Sequence, residues 1–163
     1  MIITNEVKSF SFFLGGKAIF TIDNGKEGSE HKRFTYKIVK KTKDKYINYF
    51  VRLLTGSDNS NPTCYTYLGM LLPNKHMVIT TRASKYNMQS PPVIALNWAM
   101  RKIMLCETFP GKSGVMHEGR CARCGRRLTV SESIQSGFGP ECRELMGVLV
   151  PGPILQRTLF EGK

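Results

Sequence analysis

The N-terminal half of the chain alternates between apolar and polar positions with the two-residue period of a β-strand. The alternation is clearest in residues 33–41, where Phe34, Tyr36 and Ile38 fall on one face and mostly basic side chains fall on the other. Because successive side chains of a strand point to opposite sides of a sheet, this segment predicts a strand with one apolar and one basic face. Residues 46–54 repeat the pattern and predict a second strand after a short turn.

Three further segments have the length and flanking residues of strands. Residues 17–23 end at Asn24-Gly25, which is a strong turn signal. Residues 65–72 and 76–82 flank a turn at 73–75. Together with the two alternating segments, they predict an antiparallel meander of about five strands.

A single helix is predicted after these strands. Ser90-Pro91-Pro92 is a helix start signal, and the apolar residues that follow recur at helical spacing. Such a helix is needed to cover the apolar face of the sheet, so Trp98 is expected in the core rather than as a platform for a base. The pattern predicts an α+β fold, with an antiparallel sheet covered by one helix. The residues at helical spacing are Val93, Leu96, Met100 and Ile103.

The cysteine spacing in the C-terminal third indicates a zinc site. Cys121 and Cys124 are separated by two residues, which lets two thiolates on a tight turn bind one tetrahedral ion. Cys142 follows at a distance usual for the second half of a zinc ribbon or a similar knuckle. His117, four residues before Cys121, completes a predicted Zn²⁺ ligand set of His117, Cys121, Cys124 and Cys142. Cys106, His76 and His31 remain alternatives for the fourth ligand.

Four protein ligands would make this a structural rather than a catalytic metal site. A catalytic zinc keeps one position open for water, and the deaminase pattern of His-x-Glu with a later Pro-Cys-x-x-Cys is not met, because Glu118 follows His117 directly. The expected organisation is an α+β domain at 1–110, a metal-stabilised module at 115–147 and a C-terminal tail at 148–163. Pro140 and Gly147 predict the start and end of a short helix that carries Cys142.

The cysteines are expected to be reduced. The start of the chain, Met1 to Glu6, has neither the basic region nor the apolar core of a secretory signal, which favours a cytoplasmic location, where disulfides are rare. No stretch reaches the roughly 18 apolar residues of a membrane span, so no membrane partner is expected. Cys64 and Cys106, each isolated in the sequence, are predicted to be small buried hydrophobic residues.

The charge of the chain indicates a polyanionic partner. The formal net charge is +12 and the pI is near 9.7, and the excess lies in the middle of the sequence, with no acidic residue from Asn59 to Cys106. Lysine and arginine in such excess neutralise phosphates in nucleic-acid complexes. The alternative is a surface that is basic only for solubility.

The basic residues predicted to contact nucleic acid or another partner form two groups. Those in the α+β domain are expected to contact phosphates, while arginines of the module are suited to phosphates or base edges. Tyrosine rings could stack on unpaired bases. The first group is Arg33, Lys37, Lys40, Lys41, Lys43, Lys45, Arg52, Arg82 and Lys85. The second group is Arg120, Arg123, Arg126, Arg127 and Arg143. The tyrosines are Tyr36, Tyr46, Tyr65, Tyr67 and Tyr86.

The C-terminal third resembles a family of short zinc-knuckle-like modules of unknown function found in phage and bacterial proteins. The resemblance is carried by Cys121-Ala-Arg-Cys124-Gly-Arg-Arg-Leu128-Thr129, by Glu132-Ser-Ile134, and by Gly137-Phe-Gly-Pro-Glu-Cys142. Upstream segments such as Phe34-Thr-Tyr36 and Tyr65-Thr-Tyr-Leu-Gly69 are similar to the domain that often precedes the module in small phage proteins. The resemblance implies a metal site and a phage setting, and no activity.

Two functions follow from these patterns. The first is a non-enzymatic, zinc-containing nucleic-acid-binding protein, encoded by a phage and present in the host cytoplasm. The alternative is a phage modulator or inhibitor that binds a host protein or a nucleoprotein defence complex. An enzyme is disfavoured, because Asp23, Asp44 and Asp58 are not spaced as a pair for two-metal chemistry and no nucleophile motif occurs.

Overall fold

A computed structural model describes residues 5–147 and contains one six-stranded antiparallel sheet with few helices. The strands lie in the order β5-β4-β3-β2-β1-β6. The predicted tail, residues 148–163, lies outside the described residues. The strands are β1 (Lys17–Asp23), β2 (Arg33–Lys43), β3 (Tyr46–Leu54), β4 (Tyr65–Leu72), β5 (Met77–Ile79) and β6 (Gly114–His117). The α-helices are α1 (Pro91–Met104), α2 (Ser131–Ser136) and α3 (Pro140–Met146), and short 3₁₀ turns occur at Phe10–Leu14, Gly28–Glu30 and Pro62–Cys64.

All five predicted strands are present, and the structure adds β6, which the sequence did not predict. β6 has four residues, and its alternation is too short to be read from the sequence. It pairs with β1, with Phe20 opposite His117. The predicted fifth strand is shorter than expected and spans three residues.

The alternation in β2 and β3 divides the sheet into two faces as predicted. Tyr36, Ile38 and Val51 are fully buried on the face that α1 covers, while Lys41 and Lys43 are exposed. α1 buries the predicted residues Val93, Leu96, Met100 and Ile103.

Two polar contacts fix α1 on the sheet. The Tyr36 hydroxyl donates to the Pro92 carbonyl oxygen at 2.7 Å. The side-chain amide of Asn97 accepts from the backbone N–H of Val78 at 2.7 Å and donates to its carbonyl at 3.0 Å. Trp98 is half-buried against the core, edge-to-face with Phe109 at 5.4 Å. The helix therefore covers one face of the sheet from β1 to β5.

The C-terminal segment with the cysteines shares the core of the sheet. Cys121, Phe138 and Cys142 belong to the same buried cluster as Phe20. The Phe12 ring lies between the two regions, 6.2 Å from the Phe20 ring and 6.2 Å from the Phe138 ring. One continuous core thus extends through both predicted units.

None of the helices within residues 5–147 combines the length and the apolar composition that a membrane crossing requires.

Candidate metal centre and basic sheet face

The structure brings together three of the four predicted metal ligands. The Sγ atoms of Cys121, Cys124 and Cys142 all lie within 4.8 Å of one another. Cys121 and Cys142 are buried and Cys124 is half-buried, and all three are free thiols. These three cysteines could hold a metal ion.

Local backbone geometry places the three sulfurs. Gly125 adopts the left-handed conformation, with φ of 80°, and its N–H donates to the Cys121 carbonyl at 2.9 Å, which closes the turn between the first two cysteines. Helix α3 begins at Pro140 and ends before Gly147, whose φ is 66°, as predicted. Cys142 therefore lies in the first turn of α3, facing the turn of Cys121.

Hydrogen bonds to sulfur favour the ionised form of Cys121. Burial raises the pKa of the Cys121 thiol, but backbone N–H groups, including that of Arg123 at 3.4 Å, outweigh this effect and lower the pKa to about 7. Burial raises the pKa of Cys142, and the guanidinium of Arg123, 3.7 Å from its sulfur, opposes that rise. Because the thiolate is the form that binds metals, N–H donors around the cluster suit a metal-bound state.

His117 does not join the cysteines, in contrast to the predicted ligand set. The group of ligand atoms within 4.8 Å of one another does not include His117. Its Nε2 atom lies 2.6 Å from the Ile134 carbonyl oxygen, and its Nδ1 atom accepts from the Gly119 N–H at 2.9 Å. Both ring nitrogens are thus engaged with the backbone, so His117 connects β6 to α2.

The other candidates for a fourth ligand also lie elsewhere in the described part of the chain. His31 pairs with Asp23 at 2.9 Å, and the His76 ring packs on Phe10 at 4.8 Å. Cys106 is exposed, which contradicts its predicted burial, because it follows the end of α1 in a turn with φ of 55°. Cys64 is half-buried.

A second candidate site is the face of the sheet opposite α1. We call it the basic sheet face and define it by two rows of side chains that cross the strands in register. In the first row Lys37 lies opposite Arg52, which lies opposite Tyr67. In the second row Val39 lies opposite Phe50, which lies opposite Met70. Lys41, two residues beyond Val39 on β2, lies beside the second row and belongs to the same face.

Cations and aromatic rings alternate on this face. The Nζ atom of Lys41 lies 5.9 Å from the centroid of the Phe50 ring. The Phe50 and Tyr67 rings, on adjacent strands, are 6.3 Å apart, and both side chains are half-buried. Phe50 was not predicted as a site residue, although the alternation in 46–54 places it with Arg52 on the basic face. The face can therefore offer both charge and stacking surface.

Acidic groups lie at one end of this surface. Asp23 pairs with His31 and with Arg33, whose Nε atom is 3.8 Å away. Burial opposes ionisation of Asp23, but the hydrogen bonds with His31 and the Gly25 N–H, together with the charges of His31 and Arg33, outweigh it and keep the pKa of Asp23 below its usual value. Arg33 thus has a carboxylate neighbour, whereas Lys37 and Lys41 form no ion pair with any acidic residue of the described range 5–147.

Asp58, in the loop after β3, and Glu118, which follows β6, also lie near this end. Asn59 donates to Glu118 at 3.0 Å, and the buried Tyr65 donates its hydroxyl to the Asn59 carbonyl at 2.8 Å. Burial, with the nearby carboxylates of Glu118 and Asp58, raises the pKa of Tyr65 to about 12. Tyr65 is therefore not available to stack on a base.

The remaining predicted contact residues are dispersed. Tyr36 is fully buried and Tyr86 packs against the core, so neither supports the stacking prediction. Arg143 is largely buried, 3.8 Å from Glu132, rather than free on the surface. Arg82 follows Thr81, whose hydroxyl lies 3.1 Å from that of Tyr67. The exposed residues elsewhere are Lys40, Lys43, Lys45, Tyr46, Lys85, Arg120, Arg123, Arg126 and Arg127.

The comparisons with known proteins found a match for the cysteine segment alone. A model of a family of unknown function (DUF6011) matches residues 112–147, which contain all three clustered cysteines and form a small part of the 163-residue chain. Comparisons with curated proteins and with solved structures gave no match.

Proposed function

We propose that the protein is a non-enzymatic, zinc-containing nucleic-acid-binding protein. The observation that carries this proposal is the basic sheet face, where Lys37, Lys41 and Arg52 share one side of the sheet with Phe50 and Tyr67. Among the strand residues described on the central part of this face, from β2 to β4, none is acidic. The long positive surface suits a chain of phosphates, which supplies most of the affinity in such complexes.

Zinc is the metal that best fits the donor set. Thiolates select soft or borderline ions, and zinc takes cysteine ligands in tetrahedral sites with Zn–S bonds of about 2.3 Å. Such bonds separate two sulfurs by roughly 3.8 Å, which is compatible with three sulfurs within 4.8 Å of one another. When bound, the ion would cross-link the Cys121 turn to α3, so its proposed role is structural.

The proposal predicts binding that weakens with salt and depends on the basic sheet face. Fluorescence anisotropy would follow labelled single-stranded and duplex DNA and RNA between 50 and 200 mM salt. The variant K37Q/K41Q/R52Q should bind more weakly, and the slope of log affinity against log salt for a single strand should fall by about 2, because three phosphate contacts are lost.

A matched control removes the same charge from other surfaces. Lys8, Lys32 and Lys75 are exposed and are not part of the basic sheet face, so K8Q/K32Q/K75Q should retain most of the affinity and the slope. Salt-insensitive binding, or absence of binding to all four nucleic acids, would contradict the proposal and leave a protein partner as the alternative. Equal losses in the two triple variants would show that net charge, and not this face, determines binding.

A further inference from the structure

We propose that the basic sheet face binds single-stranded nucleic acid, with unpaired bases stacked on Phe50 and Tyr67. This inference rests on the proposed function and names the class of ligand. Cations alone would attract any nucleic acid, whereas partly exposed aromatic rings can stack on bases only where the bases are unpaired.

The second row of the face consists of apolar side chains that remain partly exposed within residues 5–147. Val39, Phe50, Met70 and Ile79 lie side by side from β2 to β5, and all are half-buried. In the described part of the chain, α1 covers the opposite face. Contiguous apolar surface framed by polar groups marks an interaction site. This row therefore offers a surface on which flat apolar groups of a ligand can pack.

Charge complementarity identifies that ligand as a polyanion. Lys37 and Arg52 lie on one side of the apolar row, and Lys41 lies on the other. A base stacked on Phe50 would place its phosphates beside these cations. A protein partner would need a stripe of carboxylates on each side of an apolar centre, whereas a nucleic-acid strand carries this combination at every nucleotide.

A duplex meets this face less favourably than a single strand. In a duplex the faces of the bases are covered by their neighbours in the stack, so only phosphates could reach Lys37, Lys41 and Arg52. The Phe50 and Tyr67 side chains are half-buried, so they do not project as wedges that could separate base pairs. Stacking on the Phe50 and Tyr67 rings thus adds to the affinity for single strands and not to the affinity for duplexes.

The test compares one oligonucleotide sequence as a single strand and as a duplex, each as DNA and as RNA. We expect the wild type to bind the single strand at least tenfold more tightly than the duplex. The variant F50L/Y67L removes both rings but keeps apolar side chains, and it should lose roughly 10-fold to 100-fold in affinity for the single strand, with duplex affinity changed less than twofold. The matched variant F50Y/Y67F keeps both rings and should retain the preference.

The results distinguish a failure of this inference from a failure of the proposed function. The inference would be overturned if the wild type bound single strand and duplex with equal affinity, or if F50L/Y67L kept its affinity for the single strand. The proposed function would still stand if K37Q/K41Q/R52Q lost binding. Absence of binding to every oligonucleotide would overturn both. If F50L/Y67L does not fold, photo-crosslinking of the wild type to a 4-thiouridine oligonucleotide decides: adducts at Phe50 or Tyr67 support the inference, and adducts confined to other peptides overturn it.

Discussion

The Nε2 atom of His117 lies 2.6 Å from the carbonyl oxygen of Ile134 and joins the edge strand β6 to helix α2. The Nδ1 atom accepts from the Gly119 N–H, so the ring is held as a neutral tautomer with a proton on Nε2. The spacing of His117 from Cys121 is that of a metal ligand, yet its ring supports the segment that carries the cysteines.

Metal content should therefore depend on the cysteines and not on His117. We expect C142S to lose the bound metal, while H117Q retains it at the wild-type ratio of metal to protein, measured by inductively coupled plasma mass spectrometry. C64S is the control for removal of a thiol outside the cluster and should leave the metal content unchanged. Loss of metal from H117Q in a folded protein would restore His117 as a ligand.

His117 should also make stability depend on pH. Burial lowers the pKa of His117 below its ordinary value of 6.5, although the hydrogen bond to Ile134 opposes this effect. The unfolded chain then takes up a proton more readily than the folded protein, so the stabilisation is complete above pH 6.5 and is lost as the pH falls through the lower, folded pKa.

The measurement is the free energy of unfolding in urea at pH 7.5, 6.5 and 5.5 for the wild type and H117Q. The difference between the two proteins isolates His117, because the cysteines and carboxylates titrate in both. We expect the advantage of the wild type to shrink as the pH falls. A constant or growing advantage would show that the folded protein protonates His117 without cost.

Much of this fold could be predicted from the sequence, because burial repeats with the period of each element. Tyr36 and Ile38 alternate with cations in β2, and Leu96 and Met100 recur at helical spacing in α1, so face and element follow from the pattern. The three cysteines could be predicted because a turn and a helix start flank them. The fourth ligand could not, since spacing limits how far His117 reaches but does not determine where its ring points.

Phe50 illustrates a different limit of the sequence. Its position in the alternation assigns it to the basic face, yet an aromatic residue in a strand is more often expected in the core. Only the register with Met70 and the packing of α1 on the opposite face of the sheet reveal that Phe50 is partly exposed. The role of the face depends on which elements pack on it. Local periodicity does not predict this packing, because it is a property of the tertiary structure.

Removal of the metal should destabilise the whole described fold and not only its C-terminal segment. Cys121 and Cys142 belong to the same buried cluster as Phe20 in β1, so the cross-link and the sheet should unfold together. Metal at 1,000 times its dissociation constant adds about 4 kcal/mol. We expect a chelator to lower the melting temperature in one transition seen equally by far-ultraviolet circular dichroism and by Trp98 fluorescence. A Trp98 transition unaffected by the chelator would contradict this coupling.

Gly137 should tolerate no side chain without loss of stability, because it has a left-handed backbone and contacts the ring that joins the two regions. Its φ is 76°, and a Cβ added there would lie 2.5 Å from Cδ2 of the buried Phe12. We expect G137A to cost about 3 kcal/mol, from backbone strain together with displacement of the ring. Gly28 is the matched control, since its φ is 67° and nothing lies within 4 Å of its added Cβ, so G28A should cost only about 1 kcal/mol. Urea unfolding of both variants measures the difference, and equal losses would mean that Phe12 can move aside without cost.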